Sequence, residues 1–401
     1  MSHPQYSPIE VLQNVWWISA VSFGAALVVT PVVRLIAYKT KIVDRPDDLL
    51  KPHGRPVAYL GGVAICLGLL VGLVCYLTVM PSAAAHWQSL RQDIPAGRVP
   101  AILSNPIWNL GAIALGCVVI TVVGLLDDIR EIKPSTKVLG QVIAAGILLA
   151  GGVGDRMATV VFGSFGIAPS PWLLFPASAV LCVVIVIATC NATNLLDGLD
   201  GLCGGVTGII ALGFLALAVW LAMYANYPDS EALRVALALA MAGAVLGFLP
   251  YNIPPASIFM GDAGSMLLGF FVGTTMAMFC QESNARWFVA AWAVFALPTL
   301  DTGLAVVRRL LSGKSIFAGD RSHLYDQLVD RGMTVKQVVG LFYLLAAVAA
   351  VTGVAVAIFV RGRYAVAAYS VLAILVFAVL YRLGMVTGKA SAPPRRPAKD
   401  Q

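Results

Sequence analysis

Eleven windows of almost unbroken apolar sequence recur along this chain, near residues 15–37, 59–80, 108–126, 138–154, 172–190, 202–225, 233–250, 265–280, 287–307, 338–360 and 362–384. Each is read as long enough to cross a hydrocarbon layer roughly 30 Å thick as a helix, the fourth and eighth being the shortest. A bilayer offers no water to unpaired backbone groups, so only helices and closed barrels span it. Barrel strands alternate apolar and polar residues, whereas these windows are continuously apolar. The predicted fold class is therefore all-α, a polytopic membrane bundle of about eleven transmembrane helices. With 59% hydrophobic and 12% charged residues and a mean hydropathy of +0.85, a water-soluble surface is excluded.

No Lys or Arg precedes Arg34, and the first window is long enough to stay as a span rather than be cleaved. An odd number of spans puts the termini on opposite sides. Lys and Arg concentrate after spans 1, 3 and 9 and in the tail, so the N-terminus is expected outside and the C-terminus in the cytoplasm. Most Asp and Glu fall on that same side, which the positive-inside rule does not require; a cytoplasmic active site accounts for them. The net charge of +7 suits a protein beside anionic lipid, and no basic helix or aromatic-basic repeat suggests nucleic acid. With no linker or repeat, one integral membrane catalytic domain is expected over 1–388, followed by a disordered basic tail over 389–401. The seven cysteines lack metal spacing and read as small apolar packing residues.

Acids at membrane depth are costly and default to a functional reading. Asp127-Asp128 closes the third window, followed by Arg130, Lys133 and Lys137. Neighbours on a helix point about 100° apart, so two adjacent acids cannot both hold one ion. One should meet substrate or metal, and the other should pair with a cation such as Lys133 or Lys137. Negative charge at a helix C-terminus also opposes the helix dipole, which weakens the reading of a plain helix stop. Asn191, Asn194, Asp197 and Asp200 recur every three residues after the fifth window, a spacing that would stack them roughly along one helical face, with glycines beside them to admit a phosphate. Phe259-Met-Gly-Asp262-Ala-Gly-Ser265 sets a single acid among small residues at the start of the eighth window, an oxygen ligand of the kind a hard cation takes.

Two basic loops complete the set. In the first, Lys51, His53 and Arg55 lie among prolines and glycines and would face a diphosphate, although topogenic charge explains the cations equally well. In the other, Asp301 precedes Arg308-Arg309, and Arg321, His323, Tyr325 and Asp326 follow; arginines there would clamp phosphate bidentately.

In order along the chain, these motifs resemble those of the polyprenyl-phosphate N-acetylhexosamine-1-phosphate transferases, which include the phospho-N-acetylmuramoyl-pentapeptide transferases. The likeness runs from Asp44 to Gly332 and is most specific in Leu126-Asp127-Asp128, Asn191-Ala-Thr-Asn194-Leu-Leu-Asp197-Gly-Leu-Asp200 and Phe259-Met-Gly-Asp262-Ala-Gly-Ser265. Eleven spans and the stretch from Gly124 to Gln141 place it nearer the undecaprenyl-phosphate N-acetylglucosaminyl-1-phosphate transferase branch.

The resemblance implies transfer of a sugar-1-phosphate from a UDP-N-acetylhexosamine to a polyprenyl phosphate, with release of UMP, at the bacterial inner membrane with the active site facing the cytoplasm. It implies Mg²⁺, with Mn²⁺ as a substitute, on Asp262 and Asn194. Asp127 or Asp128 would be the base or substrate-positioning acid, Asp197 and Asp200 would hold the nucleoside side, and Phe259 would stack on the uracil. Lys51, Lys137, Asn191, Arg308 and Arg321 would contact substrate, and a homodimer is compatible with it. His323 matches the first histidine of a His-x-His-His motif thought to grip the diphosphate, while Tyr325 and Asp326 replace the other two. That replacement puts the sugar donor in question.

A lipid monophosphate is mostly dianionic at neutral pH, so it needs relief of charge repulsion more than a strong base. Direct in-line displacement is favoured over a two-step route through an aspartyl intermediate. Muramoyl-pentapeptide transfer remains an alternative within the family. Outside it stand an intramembrane prenyltransferase, for which no second Asp-x-x-x-Asp cluster lies between Phe270 and Leu310, and a secondary transporter, for which no inverted repeat is evident.

Overall fold

The computed structural model describes residues 4–44, 56–78, 106–224, 231–280, 285–311, 313, 323–360 and 362–386. A short helix α1 (Pro8–Leu12) precedes α2 (Trp17–Thr40), which stops where Lys41 turns left-handed, with φ of 60°. Two residue pairs, β1 (Val43–Asp44) and β2 (Val57–Ala58), form an antiparallel ladder, and Ala58 also bridges to Ile258. This small ladder is an addition to the expected all-α architecture. The long helices that follow are α3 (Gly61–Tyr76), α4 (Pro106–Arg130) and α5 (Pro134–Ala150), then α6 (Met157–Ser164), α7 (Pro171–Leu196), α8 (Leu202–Tyr224), α9 (Ala232–Asn252) and α10 (Gly261–Phe279). Pro134 and Pro171 stand at the first helical position, where the missing N–H costs nothing. The chain continues as α11 (Arg286–Val294), α12 (Ala296–Leu311), α13 (Leu324–Asp330), α14 (Val335–Phe359) and α15 (Gly362–Arg382).

Among the described residues, eight helices are long and apolar enough to cross a membrane, and the chain is a multi-pass membrane protein. The ninth window is not one straight span: it divides at Phe295 into α11 and α12, bent by 74°. The windows at 59–80 and 138–154 hold α3 and α5, of 16 and 17 residues, shorter than the others. Outward-facing Val28, Leu35, Val180, Val184, Val351 and Ile374 are exposed, as suits a surface that meets hydrocarbon.

Every residue of α10 except Asp262 is buried, which makes this helix the centre of the bundle. It packs on α3, α4 and α7. Lipid gives helices no hydrophobic reason to associate, so close packing of small residues must supply the contact. A Cβ on Gly62 would overlap the backbone of Gly264, and one on Gly124 would stand 2.5 Å from Ala263 Cα. These two glycines bring α3 and α4 onto the first turn of α10. The acid-bearing segments are thereby drawn to one end of the bundle. All seven cysteines are free, and six are buried.

Candidate active site

Helix α10 enters the bundle with Asp262 in its first turn, where α4 ends on Asp127 and Asp128. The two neighbouring acids diverge, as helical geometry requires. Asp128 accepts hydrogen bonds from the N–H groups of Asp262 (2.7 Å) and Ala263 (3.1 Å). It thus caps the α10 N-terminus, where a carboxylate meets orphan donors and the positive end of the dipole. Asp127 turns instead to Lys137 on α5, whose Nζ lies 2.6 Å from Asp127 Oδ2 and 2.5 Å from Asp262 Oδ2. One ammonium therefore sits between two carboxylates contributed by different helices.

Asn194, near the end of α7, donates through Nδ2 to Asp262 Oδ1 (2.9 Å) and to Ser265 Oγ (3.0 Å). Thr193 fixes the same helix pair by donating to the Ser265 carbonyl at 2.8 Å. Asn194 thereby turns its amide to Asp262 and orients that carboxylate.

The four polar residues spaced by three do not stack along one face, because α7 stops at Leu196 and the chain turns through Gly198 and Gly201, the latter with φ of 76°. Only Asn191 and Asn194 lie within the helix. Asn191 points away from the acids and donates to Gln141 on α5 (3.1 Å) and to the Ile187 carbonyl (2.7 Å). Asp200 accepts the Ala256 N–H at 2.8 Å, and Gly201 donates to Asn252 Oδ1 at 3.1 Å. Asp197, just past the helix end, is held well above the usual carboxylate range, first by burial and then by the charges of Asp262, Asp128 and Asp200.

A cavity of about 550 Å³ opens beside this cluster, lined by Asp44, Tyr59, Asp197, Asp200, Phe259 and Asp262 among others. Its aromatic wall is built by the small ladder: Phe259 donates its N–H to the Ala58 carbonyl at 2.8 Å, and its ring tilts against Tyr59 with centroids 5.9 Å apart. Phe259 therefore stands where a planar base could rest on it. Tyr59 and Asn252 were not among the residues singled out from sequence. The aromatic beside Gly61 carried a weak signal, and Asn252 carried none.

Two other expectations fall differently. His323 is not on the cavity wall: it is 2% exposed, with Nδ1 2.8 Å from Asp301 Oδ2. Asp301 also accepts the Leu324 N–H at 2.7 Å, so one buried carboxylate fixes the start of α13. Arg308 is buried and donates to the Met385 carbonyl at 3.3 Å, and Gln327 and Arg331 donate to the carbonyls of Met385 and Leu383. These side chains satisfy carbonyls just past the end of α15. Lys51 and Arg321 lie outside the described residues.

The donor set suits a magnesium ion that keeps substrate phosphate and water as most of its ligands. Among the described residues no group of three or more His, Cys, Asp or Glu is arranged to enclose a metal. Asp127 and Asp262, however, already share one positive charge, that of Lys137.

A family model described as glycosyl transferase family 4 matches residues 110–280. Over 351 residues the chain is 32% identical to the decaprenyl-phosphate N-acetylglucosaminephosphotransferase of Mycobacterium tuberculosis, covering 82% of this chain and 79% of that protein. It is 28% identical over 328 residues to the probable undecaprenyl-phosphate N-acetylglucosaminyl 1-phosphate transferase of Bacillus subtilis, covering 81% and 80%. A phospho-N-acetylmuramoyl-pentapeptide-transferase of Shouchella clausii is 27% identical over 349 residues, covering 83% and 94%.

Proposed function

This chain belongs to glycosyl transferase family 4, and from that premise we propose that it transfers N-acetylglucosamine-1-phosphate from a UDP-sugar to a polyprenyl phosphate, releasing UMP. The observation that carries the reading is the meeting of Asp127, Lys137, Asn194 and Asp262 at the edge of a cavity walled by Phe259 and Asp197. Relatives whose names specify N-acetylglucosamine favour that sugar over the muramoyl-peptide donor.

A phosphate oxygen of the lipid attacks the sugar-bearing phosphorus of the donor; the new P–O bond forms as the bond to the UMP oxygen breaks. The attacking phosphate is already largely dianionic, so no proton need be removed from it. Asp262, with Asp127 beside it, would hold Mg²⁺. When bound, the metal supplies positive charge that offsets repulsion between acceptor and donor phosphates. Asn194, itself held by Ser265, fixes the Asp262 carboxylate, and Asp128 fixes the helix that carries it. Lys137 balances the two acids and stands ready to pair with phosphate. Asp197, whose carboxyl burial and neighbouring acids push above the usual range, lines the cavity wall beside the diphosphate position. Direct displacement is favoured over an aspartyl intermediate, since Asp127 and Asp262 are both engaged by Lys137 and neither stands as an isolated nucleophile.

We place this site at the cytoplasmic face of the bacterial inner membrane, with eleven spans and an outside N-terminus, in line with the basic residues that flank it. The test is a panel of UDP-sugars offered to purified protein with polyprenyl phosphate and Mg²⁺. UMP release with UDP-N-acetylglucosamine, and a lipid product heavier by the sugar phosphate, is expected. Inorganic diphosphate in place of UMP, as prenyl transfer would give, or no UMP at all, as transport would give, overturns the assignment.

A further inference from the structure

Helix α13 touches the Asp197 turn through the aromatic side chain of Tyr325. The Tyr325 hydroxyl donates to the Leu195 carbonyl at 3.0 Å, one of the carbonyls that α7 leaves unpaired at its C-terminus. Its ring lies against Gly198, the residue after Asp197, so closely that a Cβ there would overlap the Tyr325 hydroxyl and stand 2.5 Å from Cζ. The other face of the ring is backed by His323, with rings 5.4 Å apart and 4° from parallel. His323 is in turn held by Asp301 at 2.8 Å. Tyr325, His323 and Asp301 are all buried.

We propose that Tyr325 is a positioning residue for the sugar-nucleotide site: braced by the His323–Asp301 pair, it sets where the Asp197–Gly198 turn stands in the cavity wall. The chain of contact is continuous from Asp301 through His323 and Tyr325 to Leu195 and Gly198. Leu195 directly follows Asn194, which orients Asp262, so the one hydroxyl bears on both walls of the site. Without its phenol oxygen the Leu195 carbonyl loses a partner, and the turn can settle deeper into the space the ring no longer defends. The inference rests on the proposed transferase reading, because it assigns this wall to the UDP-sugar and not to the lipid.

The test compares Tyr325→Phe, Tyr325→Ala, Gly198→Ala and the double variant Gly198→Ala/Tyr325→Ala in detergent, with UMP release as readout and both substrates varied. Tyr325→Phe keeps the ring and its stack, and is expected to raise the KM for UDP-N-acetylglucosamine by about fivefold, the worth of one hydrogen bond, while the KM for polyprenyl phosphate stays put. Gly198→Ala should produce the same donor-side signature, since its methyl would displace the phenol. In the double variant the Gly198→Ala change should add little to Tyr325→Ala, because the overlapping ring is gone. A Tyr325→Phe enzyme with both KM values unchanged, an equal rise in both, or simple additivity of the two alanine changes overturns the positioning role. If unaltered protein releases no UMP from any UDP-sugar, the transferase reading fails, and this inference with it. Thermal unfolding of each variant separates a smaller folded fraction, which scales kcat alone, from a shifted donor KM.

Discussion

Two polar clusters lie at the same end of the bundle, and they differ in what they leave open. Around Asp262, side chains of Asp127, Lys137 and Asp262 keep 14%, 24% and 25% of their surface exposed, beside a cavity. Around Asp301, the side chains of His323 and Asp301 keep 3% and 2%, and each is closed on the other. The sequence offered both as reacting groups. The difference teaches that a buried acid in this protein is a fastening, whereas an acid that retains a view of the cavity is available to substrate.

That contrast can be broken most sharply at Asp262. Asp262→Asn should lower UMP release by on the order of 10³-fold, through loss of the carboxylate that would hold Mg²⁺ for the phosphates, with little change in unfolding temperature. If turnover survives, the cavity is not the site. Lys137→Met should follow, with a loss on the order of 10²-fold that rising Mg²⁺ partly reverses, since two carboxylates would then face one another without their shared ammonium; a divalent-ion titration reads this. At the closed cluster the order of effects should invert. His323→Ala should cost roughly 3 kcal/mol of stability by leaving Asp301 buried without that partner. Turnover per folded molecule should fall far less than for Asp262→Asn, and calorimetry beside UMP release distinguishes the two.

The smallest effect concerns Asp326, half-buried on the same helix turn, which burial above all pushes up to about 6, with smaller pushes from the charges of Asp301 and Asp330. A carboxyl that binds its proton more tightly folded than unfolded weakens the fold once ionised. Its contribution is therefore least favourable above about 6 and recovers as the pH falls through that value. Asp326→Asn should raise the unfolding temperature by about 1–2 °C at neutral pH, and the gain should fade in acid. Equal curves across pH would place Asp326 among solvated surface acids.

Much of this was legible in residues alone. Continuous apolar windows announce helices that lipid can surround, and Asp127-Asp128, the Asn194–Asp200 run and Asp262 announce the chemistry, because acids are too costly at such depths to persist without a purpose. The divergence of Asp127 from Asp128 was also readable, from the angle between helical neighbours. The stacking of Asn191, Asn194, Asp197 and Asp200 was misread, because spacing by three gives a face only if the helix continues, and it ends at Leu196. The surroundings of Arg308 and His323 were not legible for a related reason: their partners, Met385 and Asp301, lie 77 and 22 residues away in sequence.

By itself, then, the sequence determined that this chain lives in a membrane as a bundle of helices with a few acids set near their ends, since apolar length and the cost of charge are local properties. Only the tertiary structure decided which acid faces the cavity, which caps a helix and which is locked to a histidine. Those roles depend on how closely the glycines of α3 and α4 let neighbouring helices approach α10, and close approach between distant segments has no local signature.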